Sequence, residues 1–251
     1  MGTTTLVLWD IDHTLIESGG VGGRIYAAAF EKVTGRRLEH MAELSGRTEP
    51  VIFRETLQLH GIDDQGDLFD RFAEEQARGY AEHADELRTK GRVRPGAAEA
   101  LRTLASRDDV IQSVLTGNIR QSAQIKLATF GLDRYLDLDI GAYGTDDDVR
   151  AKLVEIARQR AAAAHGVQFD RDSTVLIGDT PNDVKAARDG SARVIAVATG
   201  KDSMDDLADA GADTVFADLT NTDALLARVF AHGVSLGEPA GPADVDLEEV
   251  Q

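Results

Sequence analysis

The chain has 251 residues, 42% hydrophobic and 28% charged, with no cysteine and a formal charge of −17 from 27 Lys+Arg against 44 Asp+Glu. Length and apolar content suit one large domain or two modest ones, and the missing cysteine excludes disulfides, thiolate metal sites, iron–sulfur clusters and cysteine nucleophiles. The acidic balance speaks against nucleic acid or anionic membrane as partners, and no apolar run approaches the roughly 18 residues of a membrane span. The opening Met-Gly-Thr-Thr-Thr lacks the basic-then-apolar order of a signal peptide, so a soluble cytoplasmic protein is expected.

In chain order, residues 4–9 (TTLVLW) form a short apolar run rich in β-formers, which predicts a buried strand. The glycine-rich 18–23 (SGGVGG) then reads as a linker. Residues 24–34, 49–59 and 68–89 read as helices, with Gly35, Gly61 and Gly91 as their stops. After a second linker at 90–95 the pattern changes. Strands at 110–115, 174–177, 193–197 and 214–216 alternate with helices at 97–107, 120–130, 149–164, 182–189, 204–210 and 221–230. That alternation predicts an α/β fold, a Rossmann-like parallel sheet covered on both faces. The helical stretch then becomes a cap, inserted after the first strand. The expected division is 1–17 with 94–232 as core, 18–93 as cap, and an acidic, mobile tail at 233–251.

Chemistry gathers where the strands end. Asp10 and Asp12 follow the first strand, and period two puts both on one side. Two close carboxylates repel, so they need a cation or a shared proton. Such a pair also occurs in plain strand-to-loop turns. A second acidic segment, Gly178-Asp179-Thr180-Pro181-Asn182-Asp183, follows the strand at 174–177 and opens a helix. Helix capping alone accounts for part of it. A third strand ends in Thr116-Gly117-Asn118, a hydroxyl and open backbone N–H groups before a helix N-terminus, as a phosphate site requires. All three fall at carboxyl ends of strands, where α/β sheets bind ligands.

On WDIDHTL at 9–15 and LIGDTPNDVKAARDGSARVIAVATG at 176–200, the chain resembles the haloacid dehalogenase-like hydrolases. It is closest in kind to the branch with a small helical cap that holds phosphoglycolate phosphatase and β-phosphoglucomutase-like proteins. The resemblance implies a Mg²⁺-dependent phosphate monoester hydrolase for a small phosphorylated metabolite. Asp10 then corresponds to the nucleophile that forms an aspartyl-phosphate, and Asp12 to the general acid/base, whose main-chain carbonyl also binds metal. Asp179 and Asp183 correspond to the acidic metal motif, and Thr116, with Gly117 and Asn118, to the phosphate loop. The expected Lys-Pro is replaced by DDDVRAK at 146–152, where Arg150 and Lys152 compete to be the basic residue. Arg150 is preferred for its planar fork. In the cap, Arg47 is a candidate for a substrate anion. His13 stands where the family usually has glycine, and packing at the loop is the expected role. Charge repulsion with Asp10 is expected to leave Asp12 the proton.

A phosphomutase of sugar phosphates shares these aspartates and is the alternative reading. A haloacid dehalogenase lacks the second Asp of its first motif. A phosphonate hydrolase needs a cap lysine, for which only Lys32 and Lys90 are available, and a non-catalytic scaffold is expected to lose an aspartate.

Overall fold

The computed structural model describes residues 4–63 and 66–231. The acidic tail lies outside the described residues, as do Met1–Thr3. Five strands form one parallel sheet in the order β4-β1-β5-β6-β7: β1 (Thr5–Trp9), β4 (Val110–Val114), β5 (Thr174–Gly178), β6 (Arg193–Val197) and β7 (Thr214–Phe216). Alternation sorts their side chains to two faces. Val7, Trp9, Val175, Ile177, Ile195 and Val197 face one core with α5 (Ala97–Ala105), α6 (Arg120–Thr129) and α10 (Thr222–Val229). Leu6, Leu8, Leu176, Val194 and Ala196 face the other, against α7 (Arg150–His165), α8 (Pro181–Asp189) and α9 (Met204–Asp209). Every residue of β1 is buried, as a central strand covered on both faces requires.

Between β1 and α5 lie α1 (Val21–Thr34), α2 (Glu49–Leu59), α3 (Leu68–Glu82) and α4 (Ala84–Lys90). They enclose an apolar cluster of their own, in which Phe53 stacks on Phe72 at 4.4 Å and Tyr26 meets Phe72 edge-on at 4.8 Å. The two chain crossings to this layer pair as an antiparallel ribbon, β2 (Ile16–Glu17) with β3 (Arg92–Val93).

Two expected elements differ. Gly22 and Gly23 belong to α1, not to a linker. A Cβ at Gly22 would come 2.8 Å from the Tyr80 hydroxyl, so the glycine permits close helix packing. The expected single helix over 68–89 breaks at His83, whose backbone N–H donates to the Gly79 carbonyl at 3.0 Å, closing α3 before α4 begins.

Candidate active site

Strand pairing assembles the site. β1 lies between β4 and β5, with Trp9 opposite both Val114 and Ile177, so the three strands exit side by side. Asp10 and Asp179 follow β1 and β5 directly, and Thr116 follows β4 after Leu115. Oxygen atoms of Asp10, Asp179 and Asp183 lie within 4.8 Å of one another, and all three residues are buried. Asp183 owes its position to a capping box: its carboxylate accepts from the Thr180 N–H at 3.1 Å and hydroxyl at 2.6 Å. The Thr14 hydroxyl donates to Asp179 at 2.9 Å. Gly200 packs against the same carboxylate with no room for a Cβ.

Among the described residues, one cation pairs with this cluster. Arg150, at the start of α7, donates from Nη2 to Asp10 at 2.8 Å and to Asp183 at 2.5 Å. Lys152 turns away; its side chain is 60% exposed and pairs with Asp147 at 3.2 Å. Two residues along a helix is about 200° of rotation, so only one of the two can face the site. The acidic triplet before α7 divides its tasks. Asp146 holds the Tyr143 N–H at 2.9 Å and forks with Arg160 at 2.7 and 2.8 Å; Asp147 accepts from the Val149 N–H; Asp148 pairs with Arg54 of α2.

Charge is unbalanced here. Burial, then the carboxylate of Asp183, lifts Asp10 above the usual carboxylate range, against the pull of Arg150. Burial and the charges of Asp10 and Asp183 push Asp179 up to about 9. Three buried carboxylates against one guanidinium form an all-oxygen donor set short of positive charge, which fits a hard divalent cation.

Asp12 has a different environment. Its carboxylate takes Lys126 Nζ at 2.7 and 3.0 Å and the Asn118 amide at 2.8 Å. Burial opposes ionisation, but the Lys126 charge and these hydrogen bonds outweigh it and lower the Asp12 pKa. This reverses the expectation that Asp12 keeps the proton, because the repulsion with Asp10 is overridden by a buried ammonium. Lys126 also donates to Asn118 Oδ1 at 2.7 Å, which uses its third N–H. Asn118 in turn donates to the Thr116 hydroxyl at 2.7 Å, so its side chain links Asp12 to Thr116 rather than standing free for a phosphate. Lys126 was not singled out in the sequence. Its signal is position: Ser122, Ala123, Lys126 and Leu127 share the buried face of α6, where an unpaired lysine is not tolerated.

The helical layer closes over these groups. The Glu49 N–H donates to the Gly117 carbonyl at 2.8 Å, and Asn182 donates to the Ser45 carbonyl at 2.8 Å. A Cβ at Gly117 would overlap the Arg47 carbonyl, so only glycine admits the loop. Together they bound a cavity of about 580 Å³ lined by Asp10, Asp12, Thr116, Arg150 and Asp179 below and by Glu49, Gln76 and Tyr80 above. Arg47 lines it as well, but its guanidinium forks onto Glu55, with Nη1 to Oε2 at 2.8 Å. His13, expected to pack at the loop, is exposed at the cavity with φ 64°, the left-handed conformation that explains glycine's usual place there.

The sequence profile of the haloacid dehalogenase-like hydrolases matches residues 7–188. The chain is 26% identical over 200 residues, 77% of its length and 81% of the relative's, to "Putative pyrophosphatase PpaX" of Caldanaerobacter subterraneus subsp. tengcongensis. Its fold resembles a hydrolase from Pseudomonas syringae (TM-score 0.65, 19% identity, 90% of this chain and 99% of that one). It also resembles a "predicted phosphoglycolate phosphatase" from Haemophilus somnus 129PT (TM-score 0.64, 18% identity, 90% and 99%). The matched profile covers the end of β1, both acidic segments, the Thr116 loop and Arg150, and the chain belongs to the haloacid dehalogenase-like hydrolase family.

Proposed function

We propose that the protein hydrolyses phosphate monoesters of small metabolites through an aspartyl-phosphate on Asp10. The observation that carries the reading is the convergence of Asp10, Asp12, Thr116, Arg150 and Asp179 on one cavity at the ends of three adjacent strands. Asp10, Asp179 and Asp183 would hold a divalent cation such as Mg²⁺. Once bound, it supplies positive charge against the carboxylates and the incoming phosphate.

Asp10 Oδ attacks phosphorus, forming the acyl-phosphate as the ester P–O bond breaks. Thr116 and the backbone N–H groups of Gly117 and Asn118 bind phosphoryl oxygens, and Arg150 orients Asp10 while offsetting its charge. Asp12 is the group beside the leaving oxygen. Lys126 keeps it ionised, which suits the second step, removal of a proton from the attacking water. In the first step Asp12 relays the proton that a monoanionic ester carries in, since phosphate esters have a second pKa near 6.

The test is phosphate release from a panel of esters with Mg²⁺ and with chelator, followed by trapping of labelled protein. Asp10→Asn is expected to lose at least about 10³-fold in turnover and to take up no label. Asp12→Asn is expected to become labelled by an aryl phosphate, whose leaving group needs no proton, and to hold the label. Label on Asp10→Asn, or full turnover by Asp12→Asn, overturns the assignment.

A further inference from the structure

Above Asp12 the cavity enters a chamber walled by α2, α3 and the loop at 41–47, where the alcohol part of a phosphate ester must sit. Its charged groups are few. Lys126 is buried and has given its three N–H groups to Asp12 and Asn118. Arg47 is forked onto Glu55, Lys201 pairs with Glu43 at 2.7 Å on the exposed rim, and Arg150 lies below, bound to Asp10 and Asp183. His13 meets solvent at the mouth, where water and salt screen whatever charge it carries. Among the described residues, then, every lysine and arginine lining the cavity is already paired.

The chamber also holds an acid that lacks a direct ion-pair partner. Glu49 opens α2 and lines the cavity. Gln76 donates to its Oε1 at 2.6 Å, and Gln76 is itself held by the Ser122 hydroxyl at 3.2 Å. Oε2 receives no hydrogen bond from the described side chains. Among the described residues no arginine or lysine lies in ion-pair contact with this carboxylate; the Lys126 charge reaches it only at longer range. A half-buried acceptor lining an open chamber selects for a donor and against another anion, because like charges brought together away from bulk water are costly.

We infer that Glu49 selects the leaving group: the substrates are phosphate monoesters of alcohols that carry a second hydrogen-bond donor, a hydroxyl or an ammonium, and no second anionic group. This rests on the phosphatase reading and deepens it. It runs against a carboxylate or a second phosphate on the leaving group, each of which would need a free cation where the chamber offers Glu49.

Three esters of nearly equal size separate the cases: O-phosphoethanolamine, 2-hydroxyethyl phosphate and 2-phosphoglycolate, with inorganic pyrophosphate beside them. For the intact protein with Mg²⁺, kcat/KM for the first two is expected to exceed that for the last two by about tenfold or more, the size of discrimination that one mispaired polar group in a binding site produces. Glu49→Gln, which keeps the Gln76 contact and the helix start, is expected to narrow the gap between phosphoethanolamine and phosphoglycolate at least about threefold, mainly through KM. Equal or better turnover of the anionic pair by the unmutated protein overturns the inference without touching the phosphatase reading. So does a gap unchanged in a folded Glu49→Gln variant. Failure to release phosphate from any ester, an aryl phosphate included, overturns both.

Discussion

Asp179 carries two opposed demands, since a cluster that attracts a cation is a liability without one. Its pKa, raised to about 9 by burial and by two neighbouring carboxylates, means that the folded protein binds a proton more tightly than the unfolded chain. In chelator, stability is therefore expected to fall as pH rises from the ordinary carboxylate range toward 9. Asp179→Asn is expected to flatten that slope and to be the more stable protein at pH 8, and to lack the rise in Tm that the proposed Mg²⁺ site is expected to give the parent. Thermal melts across pH, with and without Mg²⁺, read both effects; a destabilised Asp179→Asn in chelator would refute the account. Lys126 is the second case. Lys126→Met removes the charge that ionises Asp12, so phosphoenzyme breakdown is expected to slow by about tenfold or more. Label bound during steady-state turnover should then rise above the parent level, which rapid-quench trapping measures.

At the scale of elements, α7 matters because its first residue is Arg150, and the loop before it is fixed by Asp146. That carboxylate joins the Tyr143 N–H to Arg160 of α7, and burial is outweighed by these bonds, so its pKa is lowered. A lowered carboxylate stabilises above its unfolded pKa and loses that contribution as pH falls through the folded value. Asp146→Asn is expected to cost about 1–2 kcal/mol near neutral pH, with the difference from the parent shrinking below about pH 4 in urea titrations. A gap that persists at pH 3 would show that shape, not charge, holds the loop. The sheet was legible in the sequence because all five of its strands are apolar runs that end in turn or site residues. Asp10, Asp179 and Thr116 were legible for the same reason. Lys126, Glu49 and Gln76 were not: their meaning depends on which helix faces lie together, and helical periodicity does not encode a partner. The β2–β3 ribbon leaves no mark in the sequence, because two residues per strand are too few for a pattern.

For the whole molecule, the helical layer meets the core through Val21, Ile25, Tyr80 and Leu87 packed on Ile125 and Phe130, and through polar contacts that include Asn182 to Ser45, Lys201 to Glu43, and Arg54 to Asp148. Solvent and salt screen exposed pairs of this kind, so each contributes little. Asn182→Ala combined with Lys201→Ala is expected to raise KM about two- to fivefold with Tm within about 2 °C of the parent, because the layer keeps its own apolar cluster. Steady-state kinetics and calorimetry check the pair of outcomes; a large loss of Tm would mean that the rim contacts hold the fold. One contact among those joining the layers has a wider consequence. The Gly117 carbonyl, in the loop that follows β4, accepts the N–H of Glu49. A single peptide unit thus belongs to both ends of the cavity, and anything that shifts it on one side is felt on the other. Thermodynamic linkage makes the effect reciprocal: if inorganic phosphate in the loop tightens the grip on an alcohol by some factor, the alcohol must tighten the grip on phosphate by the same factor. Product inhibition should therefore be synergistic, with the two products together holding the enzyme more firmly than their separate affinities imply.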